Sequence, residues 1–149
     1  MNYANNIKLK LQTETQNIPK YFADNFYTYE NDIRELIKKR WKTGKKPNGN
    51  VIGIYRSVDY ALFKKQKSDA PFRVVDLTLT GSLGNKIQVE LFNAQKGIFE
   101  IYSTDVKFQS IVEKYGLDNF NLTEIETEKI INEVTSLVYK TIIKKVYGK

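Results

Sequence analysis

The chain has 149 residues and a formal charge of +7, with 41% hydrophobic and 28% charged residues. That length suits one domain with one core, and the composition is that of a globular chain rather than a disordered one. Cysteine and histidine are both absent, which excludes disulfides, thiolate nucleophiles, histidine bases and zinc sites built on either residue.

No apolar run reaches the ~18 residues a membrane span needs, and the opening MNYANNIKLKLQTETQ lacks the apolar core of a secretory signal. Any catalysis would fall to carboxylates, Lys, Tyr or Ser working without an imidazole. The basic excess is N-terminal: residues 1–50 carry ten Lys/Arg against five Asp/Glu, 51–100 seven against five, and 101–149 seven against seven. Its densest part is KKRWKTGKK, with Lys38, Lys39, Arg40, Lys42, Lys45 and Lys46. Such a run attracts phosphates or acidic protein surfaces by long-range steering. Equally, cations there suit the negative pole of a helix end.

In chain order, NIPKYFADNF places Pro19 at a helix start, with Ile18, Phe22 and Phe26 four apart. Asn31 is placed to cap DIRELIKKRW, where Ile33, Leu36, Ile37 and Trp41 form one stripe. Gly44 closes that helix, and Pro47, Asn48 and Gly49 make a turn before the short strand VIGIY. Ser57 then caps VDYALFKKQK, with Val58, Ala61, Leu62 and Lys65 on a shared face. From Phe72 the period becomes two: Val75, Leu77 and Leu79 alternate with polar residues, as do Ile87, Val89 and Leu91, and GIFEIYS supplies a third strand. Three such runs joined by short turns predict an antiparallel meander with one buried face.

The last helix starts near LTEIE, where Thr123 and Glu126 have the spacing of a capping box. Behind them Ile130, Ile131, Val134, Leu137, Val138, Thr141 and Ile142 recur at three and four, a core-packing stripe. The expected fold class is α+β: N-terminal helices, a small antiparallel sheet and a long C-terminal helix packed on it. One domain covers residues 1–149, with a helical basic segment at 1–46, a strand-rich centre at 51–103 and the final helix at 123–147.

The segment LTLTGSLGNKIQVEL invites comparison with a phosphate-binding loop. Such a loop needs a longer glycine spacing, Lys followed by Ser or Thr, and a helix after it. Here Gly81 and Gly84 are closer, Ile87 follows Lys86, and a strand pattern comes next, so a turn is the better reading. GIY at Gly53–Tyr55 has no second nuclease element after it, and Glu124, Glu126, Glu128 and Glu133 suit the positive pole of a helix rather than a metal. The ten tyrosines and eight phenylalanines suit cores and protein interfaces more than base stacking.

Three fragments in order, KTGKKPNGNVIGIYRSVDYALFKKQK, VVDLTLTGSL and IFEIYSTDVKFQSIVEKYGLDNFNLTE, carry a family likeness. They resemble small virion proteins of tailed bacteriophages, of the neck, tail-completion or minor-tail type, especially those of crAss-like and other Bacteroidetes phages. The matching positions are Gly49, Ile52, Gly53, Tyr55, Tyr60, Ala61, Lys64, Asp76, Leu77, Leu79, Thr80 and Gly81. They continue with Ser103, Thr104, Asp105, Lys107, Lys114, Tyr115, Gly116, Phe120 and Leu122, so the likeness covers residues 42–123.

The resemblance implies a non-enzymatic structural protein of a tailed-phage virion, in the head-to-tail connector (a neck ring) or the tail. It implies no catalytic residue, cofactor or metal. The implied partners are copies of the chain in a ring, the portal and other neck or tail proteins, with non-specific contact to packaged DNA and no membrane. The place implied is the neck or tail of the virion, after synthesis in the host cytoplasm. The implied interface residues are Lys38, Lys39, Arg40, Lys42, Lys45, Lys46, Gly49, Ser103, Thr104, Asp105, Lys107, Lys114, Tyr115 and Gly116. The basic run would dock an acidic partner or face DNA in the channel, whereas the turns at Gly49, Ser103–Lys107 and Lys114–Gly116 either touch neighbours or only stabilise themselves. A basic nucleic-acid-binding accessory or regulatory protein is the alternative.

Overall fold

A hydrophobic period changing from three-or-four to two along the chain predicts helices with a small sheet, and both are found. The computed structural model describes residues 3–78 and 80–148. Its elements are helices α1 (Tyr3–Gln16), α2 (Ile18–Phe26), α3 (Glu30–Lys42), α4 (Val58–Lys65), the single turn α5 (Ser82–Asn85), strands β1 (Ile87–Asn93) and β2 (Ile98–Ser103), and helices α6 (Phe108–Tyr115) and α7 (Glu124–Tyr147). Short 3-10 turns cover Tyr27–Tyr29 and Leu117–Phe120. The class is α+β, with a two-stranded antiparallel sheet and the long C-terminal helix packed in the sheet region.

The chain forms two compact units, each discontinuous in sequence. One comprises Met1–Tyr29, Glu90–Glu100 and Ile125–Lys149, and the other Glu30–Val89 and Ile101–Glu124, so both strands run from one unit into the other. In the first unit Pro19 stands in the opening turn of α2, which buries Tyr21, Phe22 and Phe26. Phe22 stacks on Phe26 at 6.1 Å, and Phe26 meets Phe99 of β2 at 4.9 Å. Helix α7 buries Ile130, Val134, Val138, Ile142 and Val146, one residue every fourth. Its Ile131, Thr135 and Val138 line an apolar groove together with the hairpin turn Ala94–Gly97.

The second unit is built around α3, whose Ile33, Ile37 and Trp41 are fully buried. The Trp41 ring meets Phe120 edge-on at 5.1 Å, and its indole N–H donates to the Asn119 carbonyl at 2.9 Å. Helix α3 begins at Glu30, directly after the 3-10 turn, so Asn31 lies inside it and does not cap it. Its end follows expectation: Gly44 has φ +70° and donates its N–H to Trp41 O at 2.9 Å. A Cβ at Gly44 would run into Val74 Cγ1 and stand 2.9 Å from Val75 O, so glycine is required there twice over.

Three further expectations need correction. Of the run 72–80, the described residues 72–78 are not a strand of the sheet: they reach Ile54 through one bridge at Val74 and Gly53 through the Val75 N–H. Val74, Val75 and Asp76 are consecutive and all buried, which no alternating strand allows. The cause is Asp76, whose Oδ1 accepts both the N–H and the hydroxyl of Thr78 at 3.1 Å, so a side chain replaces the ladder partner. Leu79 lies outside the described residues. Gly81, at φ +71°, then starts α5 rather than turning a hairpin. In α4 the buried residues are Ala61 and Lys64, while Val58 and Leu62 are about half exposed, so its inner face differs from the apolar stripe in the sequence. The Ser57 cap stands as expected, its hydroxyl accepting the Tyr60 N–H at 3.2 Å.

Candidate functional site

Three tyrosines of the second unit, Tyr55, Tyr60 and Tyr115, form the common wall of two cavities of about 330 and 580 Å³. Each ring is fixed locally. Tyr55 leaves the irregular segment before α4, donates its hydroxyl to Asp76 O at 3.1 Å, and meets Tyr60 edge-on at 5.1 Å. Tyr115 ends α6 against Gly53, where a Cβ would approach its Cε1 to 3.0 Å. Burial, then the nearby Asp76 charge, push the Tyr55 phenol well above its ordinary pKa. Opposite Tyr55, Arg73 holds the unusual φ of +69° for a non-glycine. Its guanidinium donates Nε and Nη2 to Tyr55 O, both at 3.2 Å.

Behind the smaller cavity lies a buried ion pair. The ammonium of Lys64 donates to Asp76 Oδ1, and the two side chains are 4% and 0% exposed. Asp76 Oδ2 is buried without a hydrogen bond. Burial pushes the Asp76 carboxyl up, but the Lys64 ammonium, the adjacent Ser68 hydroxyl and the Thr78 N–H outweigh it and hold the group below its ordinary value.

The second carboxylate of this cavity, Asp105, is equally committed. One oxygen accepts the Lys107 N–H at 3.0 Å, at the head of α6. The other accepts the Ser82 hydroxyl and faces Lys86 at 3.4 Å. The Ser82 hydroxyl first, then the Lys107 N–H, lower the Asp105 pKa. Ser103 joins the knot, accepting the Asp105 N–H at 3.2 Å and donating to Leu83 O at 3.0 Å. Both carboxylates therefore hold backbone in place, and the exposed residues around the walls include the cations Arg56, Lys107 and Lys114.

The sequence-derived residues fall into three sets. Lys107, Lys114 and Tyr115 come together at the cavities. Ser103 and Asp105 are buried in their own turn, whereas Thr104 is exposed and ties its N–H to Lys86 O at 3.0 Å. The basic run divides: Lys39, Lys42 and Lys45 are exposed, but others serve the fold. Lys46 donates to Tyr115 O at 3.0 Å and faces Asp118 at 3.4 Å, and Arg40 donates to Asn121 O. Lys38 pairs with Glu35 at 2.8 Å while its stem covers Gly84. Gly49, at φ +83°, sits in an open turn. Gly116, at φ +95°, ends α6, and its carbonyl accepts Asn119 Nδ2 at 2.9 Å.

Composition and periodicity pointed to none of Tyr55, Tyr60, Lys64 and Asp76 as a wall. Their only sequence signal is the phage resemblance, which contains all four. Exposed Ile54, Val58, Leu62, Phe63 and Phe72 belong to the same unit. Among the described residues no group of three or more Asp or Glu stands ready to hold a metal, and no helix is long and apolar enough to cross a membrane. Comparison with known proteins finds no matching family, no matching curated protein and no matching solved structure.

Proposed function

We propose that this chain is a non-enzymatic structural protein of a tailed-phage virion, part of the neck ring at the head-to-tail connection or of the tail. The observation that supports it is convergence. The residues of the resemblance span 42–123, yet Tyr55, Tyr60, Lys64, Asp76, Asp105, Lys107 and Tyr115 meet around one pair of cavities in one unit. A recess with tyrosine walls and cations at Arg56, Lys107 and Lys114 suits an acidic segment of a neighbouring subunit. Heterologous contacts of that kind close into rings. Phe63, exposed on α4 with its ring 6.2 Å from that of Tyr60, extends the same face and fits a protein partner.

Counting this chain against the portal protein by mass spectrometry of purified particles tests the reading. A fixed ratio is expected; presence in infected cells with absence from particles overturns it. Reversing Lys42 and Lys45 leaves the fold intact and should reduce assembly, whereas Lys46 is unsuitable for that test because it holds its own chain.

Arg56 and Lys114 beside Tyr60 and Tyr115 also favour a second reading, a nucleic-acid-binding accessory protein that stacks single-stranded bases. Tight binding to oligonucleotides that weakens steeply with salt would select it; weak binding indifferent to sequence belongs to the connector.

A further inference from the structure

The buried row of α7 advances by four residues from Ile130 to Val146, so the row directly opposite advances in step: Glu128, Asn132, Ser136, Lys140 and Lys144. All five are exposed. The large apolar residues beside this ridge are unusually open, with Ile125 at 80%, Tyr139 at 64%, Ile143 at 50% and Tyr147 at 52% exposure. A solvated helix face rarely carries four such side chains. Charge along α7 is also divided. Glu124, Glu126, Glu128 and Glu133 occupy the first half with one cation, Lys129, which pairs with Glu133, and Lys140, Lys144 and Lys145 occupy the second.

We infer that this face of α7 is self-complementary and pairs with the α7 of a second copy, the two helices running antiparallel and crossing at Ser136. A two-fold axis at that residue sets Glu128 against Lys144 and Ile125 against Tyr147, and does so twice, because an isologous contact repeats every pair. The small Ser136 side chain at the crossing admits close approach. A parallel pairing would instead set acid on acid and base on base. The i±3 ridges of one helix pack into the i±4 grooves of the other at a shallow crossing of roughly 20°, which keeps the terminal pairs within reach. This surface lies in the unit that holds α7, apart from the cavities behind the connector reading, so either proposal can fail alone.

The chain lacks cysteine, which makes the test direct. Ser136→Cys should form a covalent dimer under mild oxidation, because at the axis the residue meets itself. Lys129→Cys, on the same exposed face but off the axis, should not. Sedimentation of the full chain should show a concentration-dependent dimer. Glu128→Lys or Lys144→Glu alone turns two attractions into two repulsions and should weaken it roughly tenfold. Combining both reversals should restore the dimer. A chain that stays monomeric, a dimer indifferent to the single reversals, or equal crosslinking at positions 129 and 136 overturns the inference.

Discussion

Lys64 and Lys145 each meet a carboxylate, in opposite circumstances. Lys64 and Asp76 are sealed from water, with side chains 4% and 0% exposed. Lys145 faces Glu14 at 3.9 Å with its side chain 49% exposed, and donates to the Tyr21 hydroxyl at 2.7 Å. Tyr21 in turn donates to Glu14, so the outer cluster is a relay along α1, α2 and α7. Coulomb attraction is common to both; desolvation is not. Removing one partner of the buried pair strands a charge away from water, whereas the outer cluster hands its charge to solvent. The same chemistry is thus indispensable in one unit and incidental in the other.

The largest expected effect follows. Asp76→Ala or Lys64→Ala should lower stability by roughly 3–5 kcal/mol, and Lys64→Met with Asp76→Leu should recover much of that loss. Trp41, the sole tryptophan, is buried in the same unit, so denaturant unfolding followed by its fluorescence reads the change directly. The pH sign is fixed as well. The folded Asp76 carboxyl lies below its ordinary 3.8, so its contribution is complete above that pH and is lost as pH falls through the folded value. Asp76→Ala should flatten the acid limb and leave the part due to Asp105, which is lowered in the same direction. An unchanged acid limb would break the contrast.

The two units also differed in how far the sequence revealed them. Helix α7 was legible because its core is a row of apolar residues at helical spacing, and helix periodicity needs no distant partner to be seen. Phe22 and Phe26 were legible for the same reason. The irregular stretch of the second unit at residues 74–78 was not. Its alternation at Val75 and Leu77 looks like a strand, but Asp76 spends its carboxylate on Thr78 and Lys64 and bends the chain. Lys64 was assigned to no core because a buried lysine carries no apolar signal, although Ala61 three residues earlier marks the same face. Of the candidate site, the resemblance named the residues, and only the fold showed them around one recess.

Arg73 provides a smaller test of the buried side. Its backbone strain is held by hydrogen bonds to Tyr55 O and Arg56 O. Arg73→Ala keeps the strain and loses the bonds, and should cost about 1–2 kcal/mol. Arg73→Gly loses the same bonds but removes the strain, and should be the more stable of the two variants by about 1 kcal/mol. Thermal unfolding of the pair decides it; equal midpoints would mean that the backbone at this position is not strained.

The smallest effect belongs to Lys145, and its direction is the sharpest check on the comparison. The hydrogen bond to Tyr21, the largest influence, outweighs the opposing effect of burial and, with a lesser contribution from the Glu14 charge, raises the ammonium above its ordinary 10.5. A raised cation contributes stability that is fully present below 10.5 and is lost as pH rises through the folded value. Lys145→Met should therefore lower the neutral midpoint slightly, and that difference should close in the alkaline limb, where the parent loses the contribution as well. High salt should shrink even that difference, because half the side chain is in water. If Lys145→Met instead matched the loss from Lys64→Ala at neutral pH, exposure would not be what separates the two clusters, and the relay through Tyr21 would have to be counted as part of the core.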